Sequence, residues 1–451
     1  MSWTRTLEEL AGAVGAVPPA DAAAMPFSSV STDTRTLRPG DVFFALSGGN
    51  FDGNSFVAQA FDLGAAAAVC SRPNPGGPCI LVDSPAAALQ SFAAWHRRRC
   101  PAKVIAVTGS CGKTTSKDLI AGLLGSRHAV EKTQGNLNND IGCPLSLLRM
   151  DGETRFGVIE MGANHVGEIA ELCRMAAPDE AAVTIVAPAH LEGFGSVERV
   201  AMAKGEIVEG LGPDGVFYVN NDDPWCAAMA ERHPGPKVRF GRNGDVALKN
   251  LAFDGNGMMV LDIDPVGRVA LPLMVRAHAT NVLLAVAVAL RHGIDDVAGP
   301  LAEACRGLTR FRVEQVGPLE VLDDSYNANP ASMAASLQAL ADRPVRGVRF
   351  AALGGMLELG AHAAELHRET GRTAAEMGVS CLFARGPHAA DMVAGALEAG
   401  MPRAGVIEEH GMIAEAVRAA AAPGDALLVK GSRGMRMECV VESLKRLYSG
   451  E

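Results

Sequence analysis

The residues best suited to chemistry lie between Val104 and Asp118, where an apolar run gives way to a glycine-rich turn and then to helix-forming residues. The turn and the helix start carry small, hydroxyl-bearing and cationic residues: Gly109, Ser110, Cys111, Gly112, Lys113, Thr114 and Thr115. Glycines let backbone N–H groups face a phosphate, a helix start favours an anion, Lys113 adds a cation and Thr114 offers a hydroxyl to Mg²⁺. The segment therefore predicts a phosphate-binding loop, with ATP as the nucleotide.

The loop is shorter than the common nucleotide loop, whose spacing is G-x-x-x-x-G-K-[ST]. Val107 stands where the first glycine of that pattern would be. A glycine-rich turn that only closes a strand is the alternative interpretation. Cys111 lies at the helix start, which predicts a lowered thiol pKa, although a small residue filling the turn would also explain its presence.

Further polar residues stand where predicted strands end. Glu160 follows the apolar run 156–159, from which a carboxylate can reach Mg²⁺ at the phosphate loop. His190 ends the segment 181–189, and its alternative is a purely structural histidine. Asn136, Asn138 and Asn139 form an amide cluster suited to a polar substrate, whereas a helix cap would need only one asparagine.

Lys204 falls within the apolar stripe of a predicted helix over residues 197–211. Burial disfavours an ammonium group, and a neutral amine can react with carbon dioxide to give a carbamate anion that binds a metal. The alternative is a packed aliphatic stem with the amine in water.

Three more segments could contact a ligand. Asp324 and Tyr326 follow another predicted strand, where they could bind a ribose and lie against a purine. Residues 430–433, KGSR, combine an arginine with a helix start and suit a carboxylate or phosphate. Residues 31–35, STDTR, form either a polar turn or an anion site.

The elements that must position these residues fall into three groups. Short strands and Gly/Pro turns in residues 1–100 predict a small α/β domain. Strand and helix patterns alternate in residues 101–313, which predicts a central doubly wound ATPase-like domain with its ligand at the carboxyl ends of the strands. The alternation resumes in residues 314–451, which predicts a Rossmann-like C-terminal α/β domain.

The composition of the chain limits the kinds of molecule that we expect it to bind. A net charge of −10 over 451 residues argues against a broad nucleic-acid or membrane surface, so small molecules are expected. Ten cysteines without C-x-x-C pairs suit reduced thiols in the cytoplasm. No apolar run approaches the ~20 residues of a membrane span, so we expect no membrane insertion.

Taken together, the motifs resemble the Mur ligases, the ATP-dependent amide-forming enzymes of peptidoglycan synthesis. The resemblance rests on STDTR, GDVFFAL and FDG in the first region, on GSCGKTT, GNLNNDIG, EMGANHVGEI, AHLEGFGS and AKGEI in the second, and on DDSYNANP, MLELG and VKGSR in the third. It implies that the first region holds a UDP-sugar, the second holds ATP, and the third brings the incoming amine and closes over the site.

The resemblance also implies individual roles. The implied catalytic residues are Lys113, Glu160, His190, Lys204 and Arg312. Two Mg²⁺ ions are implied, one on Thr114 and Glu160 and the other on His190 and carbamoylated Lys204. The implied ATP contacts are Gly109 to Thr115, Asn281, Arg312, Asp324 and Tyr326. The implied contacts with the UDP-muramoyl peptide are Ser31, Arg35, Asn136 and Asn139, and those with the dipeptide are Lys430, Ser432 and Arg433.

The implied activity transfers the γ-phosphoryl group of ATP to the terminal carboxylate of UDP-N-acetylmuramoyl-tripeptide. The amine of D-alanyl-D-alanine then attacks the acyl phosphate, a monomeric enzyme releases ADP and phosphate, and the peptidoglycan pentapeptide precursor results. Another ligase of the superfamily, such as a folylpolyglutamate type, is one alternative, and a nucleotide-gated binding protein or GTPase is another. The sequence departs from the family pattern at four places: Thr184-Ile185, Val275 to His278, Phe311 and Gly355.

Overall fold

The structure, a computed structural model, describes residues 4–49, 51–74, 76–255 and 257–450. Within these ranges the chain forms three sheets of four or more strands, and each sheet belongs to a different stretch of the sequence. Helices and strands alternate around the sheets, which confirms the predicted three-domain α/β architecture. None of the helices in the described ranges is long and apolar enough to cross a membrane.

The N-terminal domain is small and built on a parallel sheet of strand order β3-β4-β7-β8. Its elements are β1 (Arg5–Thr6), α1 (Leu7–Val14), β2 (Pro26–Phe27), β3 (Val30–Ser31), β4 (Val42–Phe44), β5 (Ser47–Gly48), β6 (Phe51–Asp52), α2 (Val57–Asp62), β7 (Ala67–Cys70), β8 (Cys79–Leu81) and α3 (Pro85–Arg97).

Helix α3 fixes this domain to the next one. Ser84 caps its start and Pro85 is its first residue, a combination that favours a helix N-terminus. At its other end the Arg97 guanidinium donates to the Ala176 carbonyl at 2.7 Å and pairs with Asp179 at 2.8 Å. The buried residues of α3 belong to one apolar core with those of the central domain, so the two domains are packed together.

The central domain contains a nine-stranded sheet of order β10-β11-β9-β12-β13-β14-β15-β16-β17. Its strands are β9 (Lys103–Thr108), β10 (Val130–Lys132), β11 (Phe156–Glu160), β12 (Glu180–Val183), β13 (Val216–Asn220), β14 (Lys237–Gly241), β15 (Val246–Phe253), β16 (Met259–Asp264) and β17 (Gly267–Leu271). Its helices are α4 (Lys113–Gly125), α5 (Gly142–Leu148), α6 (Glu168–Ala176), α7 (Leu191–Phe194), α8 (Val197–Glu209), α9 (Pro224–Arg232), α10 (His278–Arg291) and α11 (Ala298–Arg306).

The order of this sheet explains where its polar residues meet. Strand β9 lies between β11 and β12, and all three run parallel. In the register, Glu160 pairs with Val107 and Val183 pairs with Thr108, so the ends of β11 and β12 flank the phosphate loop. Ligands of doubly wound sheets bind at such a point, outside the carboxyl ends of strands.

The C-terminal domain has a six-stranded sheet of order β18-β19-β23-β20-β21-β22. Its elements are β18 (Arg312–Val316), β19 (Leu319–Asp324), α12 (Pro330–Asp342), β20 (Arg349–Gly354), α13 (Ala363–Glu376), β21 (Cys381–Arg385), α14 (Ala389–Glu398), β22 (Arg403–Val406), α15 (His410–Ala420), β23 (Ala426–Lys430) and α16 (Glu438–Ser449).

The predicted boundary after residue 313 falls inside this sheet. Strand β18 begins at Arg312 and pairs antiparallel with β19, so residues on both sides of the predicted boundary belong to one strand of this sheet. Residues 312–316 lie partly exposed at the edge of the sheet and therefore lack a continuous apolar run, so the sequence pattern does not mark them as a strand.

The C-terminal domain lies against the central domain. Arg276, which precedes α10, pairs with Asp342 at the end of α12 at 2.6 Å. The neighbouring Arg343 contacts the sulfur of Met274 at 3.3 Å. At the opposite end of the C-terminal sheet, Asn329 Nδ2, beyond the end of β19, lies 3.1 Å from the Cys111 sulfur, so the carboxyl end of that sheet faces the phosphate loop.

Candidate active site

The phosphate loop needs glycine at two positions. Gly109 has φ +145° and Gly112 has φ +80°, backbone conformations that residues with a Cβ rarely adopt. A Cβ on Gly109 would lie 2.0 Å from the Thr184 hydroxyl oxygen, and one on Gly112 would lie 2.5 Å from Asn281 Oδ1. The loop is therefore held against its neighbours in one shape.

Polar groups around the loop fix that shape. The Ser110 hydroxyl donates to the Ala187 carbonyl at 2.8 Å, and the Thr184 hydroxyl donates to the Cys111 carbonyl. Lys113 Nζ donates to the Gly109 carbonyl at 2.7 Å. Thr184, one of the departures from the family pattern, thus anchors the loop, which the sequence reasoning missed.

The start of α4 remains available to an anion. Its cap is Gly112, and among the described residues no side chain caps it. The first N–H groups of a helix have no partner within the helix, and they carry the positive end of its dipole. Ser110 is occupied by its contacts with residues 185 and 187, whereas the N–H groups at the start of α4 remain available to an anion.

Asn281, a predicted ATP contact, lies beneath the loop. It is buried on α10, and its Oδ1 accepts a hydrogen bond from Ser116 at 3.1 Å. This hydrogen bond and the closeness of Asn281 to Gly112 place the side-chain oxygen of Asn281 against the backbone of the loop. The observed contact is therefore with the loop, and contact with the nucleotide stays a prediction.

Glu160 presents an unpaired oxygen beside the loop. Its side chain is buried, and Oε1 accepts from Asn138 Nδ2 at 2.7 Å. The other oxygen, Oε2, is buried without a hydrogen-bond partner. An unpaired carboxylate oxygen in a buried position is costly unless a cation completes it, so this residue fits the predicted Mg²⁺ site.

The asparagines of the amide cluster make different contacts. Asn138 holds Glu160, whereas Asn139 Oδ1 accepts from the Gly142 N–H at 2.9 Å, close to the start of α5. Asn139 thus makes a helix-capping type of contact, the alternative considered for the cluster. Asn136 is exposed and lines a cavity beside the phosphate loop.

Lys204 is buried, which confirms the prediction from its place on the apolar stripe. Its side chain is 2% exposed on α8, and Nζ donates to the Ala163 carbonyl at 3.2 Å. Nζ also lies 5.4 Å from the centre of the Phe194 ring. Burial, helped by the positive charge of Lys113, lowers the pKa of Lys204 to about 7. A substantial fraction of this amine is therefore neutral at physiological pH.

His190 lies at the start of the short helix α7 with φ +52°. Its Nδ1 is hydrogen-bonded to Glu358 Oε2, a residue of the C-terminal domain. Burial lowers the pKa of His190, an effect that Glu358 opposes and that the charges of Lys113 and Lys204 reinforce. A neutral imidazole is the form that binds metals.

The C-terminal residues predicted to bind nucleotide and dipeptide contact each other. Asp324 accepts hydrogen bonds from the buried Lys430 ammonium and from Ser336, and Lys430 also donates to the Asn327 carbonyl at 2.9 Å. The Ser432 hydroxyl accepts from the Leu357 N–H at 2.9 Å. The Lys430 bonds hold the loop after β19 to the end of β23, and the Ser432 bond holds the loop after β23 to the loop after β20. Direct contacts with ligands stay predictions.

One face of Tyr326 is occupied by arginine. The guanidinium carbon of Arg310 lies 3.1 Å from the centre of the Tyr326 ring, and that of Arg433 lies 5.6 Å away. Arg312 was the predicted catalytic cation, whereas Arg310, which no sequence pattern singled out, is the arginine nearest the Tyr326 ring. Arg312 is exposed, and no hydrogen bond or ion pair joins its side chain to the described residues. It borders both cavities, where it could meet an anionic ligand.

Two cavities lie between the central and C-terminal domains. One, of about 530 Å³, brings together predicted site residues from both domains: Thr114, Asn136, Arg312, Asp324, Tyr326 and Arg433. The other, of about 790 Å³, shares Arg310 and Arg312 with the first. Its lining residues His278, Arg310 and Glu438 each carry a buried nitrogen or oxygen without a hydrogen-bond partner. Both volumes suit a small-molecule ligand.

Cys111 does not have the predicted lowered pKa. Its sulfur lies 3.1 Å from Asn329 Nδ2, and the same amide reaches the Ser110 carbonyl at 3.4 Å. Burial beneath the C-terminal domain raises the pKa of the Cys111 thiol. The prediction was wrong because burial outweighs the influence of the helix start.

The polar turn of the N-terminal domain is internally bonded. The Ser31 hydroxyl donates to the Asp33 carbonyl at 2.9 Å, and Arg35 pairs with the Asp33 carboxylate at 2.6 Å. Arg35 is otherwise exposed. The segment thus forms the polar turn considered as an alternative, and contact with a UDP-sugar stays a prediction.

A buried amine, an unpaired carboxylate oxygen and a phosphate loop, all facing a third domain, define a three-domain phosphate-loop protein of the nucleotide-dependent enzyme class. The family descriptions that match the chain are "Mur ligase family, catalytic domain" over residues 26–96, "Mur ligase middle domain" over 107–289 and "Mur ligase, glutamate ligase domain" over 309–433. The chain belongs to the Mur ligase family.

Individual relatives agree over nearly the whole length. The UDP-N-acetylmuramoyl-tripeptide--D-alanyl-D-alanine ligase of Escherichia coli K12 is 37% identical over 430 residues, which cover 92% of this chain and 93% of the relative. A crystal structure of MurF from Acinetobacter baumannii has a TM-score of 0.90 at 30% identity and covers 98% of this chain and 99% of that one. MurF from Thermotoga maritima in complex with ADP has a TM-score of 0.81 at 30% identity and covers 94% of this chain and 98% of that one.

Proposed function

We propose that this protein is an ATP-dependent ligase that joins D-alanyl-D-alanine to UDP-N-acetylmuramoyl-tripeptide through an acyl phosphate. The observation that carries the proposal is the 37% identity with a ligase of that name over 92% of this chain and 93% of the relative. The C-terminal domain lies over the phosphate loop, which supports the proposal. A ligase that forms an acyl phosphate must keep water away from that intermediate.

The phosphate loop would bind the polyphosphate of ATP. The start of α4 offers N–H groups, and Lys113 offers a cation whose hydrogen-bond partner among the described residues is the Gly109 carbonyl. When the carboxylate of the tripeptide attacks the γ-phosphorus, charge spreads over the equatorial oxygens of the phosphoryl group. Lys113 and Arg312 would stabilise that charge electrostatically.

Thr114 and Glu160 would hold one Mg²⁺ together with the phosphates. Mg²⁺ prefers oxygen ligands and usually takes one or two carboxylates, with substrate phosphates and water completing its shell. No cluster of three or more His, Cys, Asp or Glu side chains suited to a metal occurs in the described part of the chain. The unpaired Glu160 Oε2 therefore suits a site that shares its ligands with the nucleotide.

Lys204 would carry a carbamate. Its neutral amine would attack the carbon of carbon dioxide, forming an N–C bond as the π pair of one C=O bond moves to oxygen, and one N–H proton would pass to solvent. The low pKa of this amine, about 7, and its burial beside Lys113 support the modification, because an anion there would relieve the repulsion between two cations. The carbamate and His190 would hold the second Mg²⁺, whose role when bound is to offset negative charge on the reacting groups.

The nucleoside would occupy the cavities between the domains. The cavity of about 530 Å³ adjoins Thr114, and the cavity of about 790 Å³ adjoins His278 and Arg310 with their unpaired nitrogens. A purine and a ribose offer donors and acceptors to such groups. Stacking on Tyr326 would need the open face of that ring, because Arg310 covers the other.

The remaining parts of the proposal concern the substrates and the compartment. We assign the UDP end of UDP-N-acetylmuramoyl-tripeptide to the N-terminal domain at Ser31 and Arg35, and the dipeptide to the region of Arg433. One chain would then hold every substrate, so the enzyme would act as a monomer. We assign the protein to the cytoplasm, because all ten cysteines are free thiols and the cytosol keeps thiols reduced.

Phosphate release and product mass test the proposal. The purified protein is incubated with MgATP and UDP-N-acetylmuramoyl-tripeptide, with and without D-alanyl-D-alanine. We expect phosphate release that requires both substrates, and a product heavier by the dipeptide less one water. Release that ignores both substrates would favour a nucleotide-gated protein and overturn the ligase proposal. Ligation of a single amino acid in place of the dipeptide would favour another ligase of the family.

A pair of lysine variants provides the matched control. Lys113→Met removes the cation at the phosphate loop and should abolish ligation. Lys103→Met removes the same charge from an exposed position at the start of β9 and should leave ligation unchanged. Equal activity in the two variants would contradict the role assigned to Lys113.

A further inference from the structure

The contact between His190 and Glu358 joins two domains through two unusual backbone positions. His190 has φ +52° and Glu358 has φ +62°, a region that non-glycine residues rarely adopt. The His190 imidazole meets the Glu358 carboxylate, and the Glu192 N–H donates to the Glu358 carbonyl at 2.9 Å. Strained residues of this kind persist only where the surrounding structure holds them, and they cluster at functional sites.

We propose that Glu358 is a positioning residue that orients the His190 imidazole for Mg²⁺ and is supplied only when the C-terminal domain lies against the central domain. The inference rests on the proposed function for the metal role of His190. Histidine ligands of metals commonly donate their second ring N–H to a carboxylate, which fixes both the tautomer and the orientation of the ring.

The geometry selects one ring nitrogen for the metal. A carboxylate only accepts hydrogen bonds, so Nδ1 carries the proton that Glu358 accepts, and Nε2 keeps its lone pair. No hydrogen bond joins Nε2 to a residue in the described ranges. The positive charges of Lys113 and Lys204 act on this same imidazole, so the phosphate-loop lysine and the buried amine lie within electrostatic range of it.

The contact couples domain position to the site. Glu358 belongs to the segment between β20 and α13, whereas His190 precedes α7 of the central domain. The two residues are 168 positions apart in the sequence, and the chain between them includes the central domain from α7 to α11 and strands β18 to β20 of the C-terminal domain. Movement of that domain away from the phosphate loop would remove the carboxylate and leave the imidazole free to change tautomer.

The simpler explanation is an ion pair that only holds the domains together. Both side chains are partly exposed, at 31% for His190 and 51% for Glu358, and ion pairs with such exposure contribute little to stability. A purely structural pair would change the domain arrangement when removed. A positioning residue would change the tautomer and the metal affinity while the domains stay together.

Three variants separate these explanations. Glu358→Met removes the acceptor, Glu358→Gln keeps a neutral acceptor, and Glu192→Met is the control. The side chain of Glu192 is exposed, and no hydrogen bond or ion pair joins it to the described residues. It lies two residues from His190, so its loss removes the same charge from the same neighbourhood.

The first readout is the tautomer of His190, measured by ¹⁵N NMR of protein labelled at histidine, with the resonance assigned from a His190→Gln spectrum. We expect the Nδ1-protonated form in the wild-type protein and a mixture in Glu358→Met. The second readout is Mn²⁺ affinity by electron paramagnetic resonance. We expect roughly 10- to 100-fold weaker binding in Glu358→Met. Glu358→Gln should lose less, and Glu192→Met should match the wild type.

The third readout is alkylation of Cys111, which reports on the domain arrangement because Asn329 covers its sulfur. Glu358→Met should leave the alkylation rate unchanged. Faster alkylation with an unchanged tautomer would show a structural pair and overturn the inference, as would unchanged Mn²⁺ affinity. Failure of Mn²⁺ to broaden the wild-type His190 resonance would also overturn it. A broadened resonance without pentapeptide formation would support the inference and overturn the proposed ligase function alone.

Discussion

Replacing Lys204 by methionine should make the protein more stable at neutral pH. Lys204 is 2% exposed, and burial with help from Lys113 lowers its pKa from an ordinary 10.5 to about 7. Between these values the unfolded chain binds a proton at this amine that the folded chain does not. Stability therefore rises as pH rises through this window, and the contribution of Lys204 at pH 7 is unfavourable.

The magnitude follows from the two pKa values. Their separation corresponds to a destabilisation of roughly 4 kcal/mol at pH 7, which falls to about 2 kcal/mol at pH 9. Methionine has a similar length, carries no charge and suits an irregular apolar site. It gives up the hydrogen bond to the Ala163 carbonyl, which contributes about 1 kcal/mol. We expect the variant to be more stable by a few kcal/mol at pH 7, and the difference to shrink by about 2 kcal/mol at pH 9.

Urea unfolding followed by circular dichroism at pH 7 and pH 9 measures this difference. The buffers must be free of carbon dioxide, so that no carbamate forms on the wild-type amine. If the free energy of unfolding changed equally with pH in the wild type and the variant, the reasoning would be refuted. Loss of ligation should accompany the gain in stability, because the variant cannot form a carbamate.

Lys117→Met is the matched control for this experiment. Lys117 is as buried as Lys204, but its amine donates to the Thr133 carbonyl at 2.7 Å and lies 3.3 Å from Asp118. Its loss would remove this donor from the buried Thr133 carbonyl and leave Asp118, within the described ranges, paired with Lys132 alone. We expect this variant to be less stable than the wild type.

Two further predictions concern the phosphate loop. Gly112→Ala should weaken ATP binding at least about tenfold in calorimetry, because the residue has φ +80° and its Cβ would lie 2.5 Å from Asn281 Oδ1. Gly125→Ala, at an open position of the same helix, should bind ATP as the wild type does, and equal affinities in the two variants would contradict the strain. Asn329→Ala should speed alkylation of Cys111 by iodoacetamide several-fold, measured by peptide mass spectrometry, because it uncovers the sulfur. An unchanged rate would show that Asn329 does not control access.

Much of the fold and part of the site follow from local patterns. The three-domain α/β architecture follows from alternating strand and helix patterns, and the shape of the phosphate loop follows from its glycines. The burial of Lys204 follows from its place in a helical stripe, since the stripe faces the core wherever that helix packs. Glu160 was predicted to end a strand because the apolar run before it fills the sheet.

The remaining contacts depend on residues far apart in the sequence. Glu358 meets His190 and Asn329 meets Cys111 only because two domains come together, and no spacing in the sequence records that approach. The direction of the Cys111 pKa shift was predicted wrongly for the same reason, because the burial that raises this pKa comes from the C-terminal domain. Arg310, Phe311 and Arg312 are adjacent in the sequence, and which of them contacts Tyr326 depends on where that ring lies in the fold. The contact made by Arg310 was therefore missed.

The contact between Asn329 and the phosphate loop suggests a mode of inhibition. A thiol-directed compound bonded to Cys111 would occupy the space that Asn329 fills and would prevent the C-terminal domain from reaching the loop. Glu358 would then be kept from His190, because it lies on the same domain. Such an inhibitor would act as a wedge between domains, and a high cellular concentration of ATP would not displace it once the covalent bond had formed.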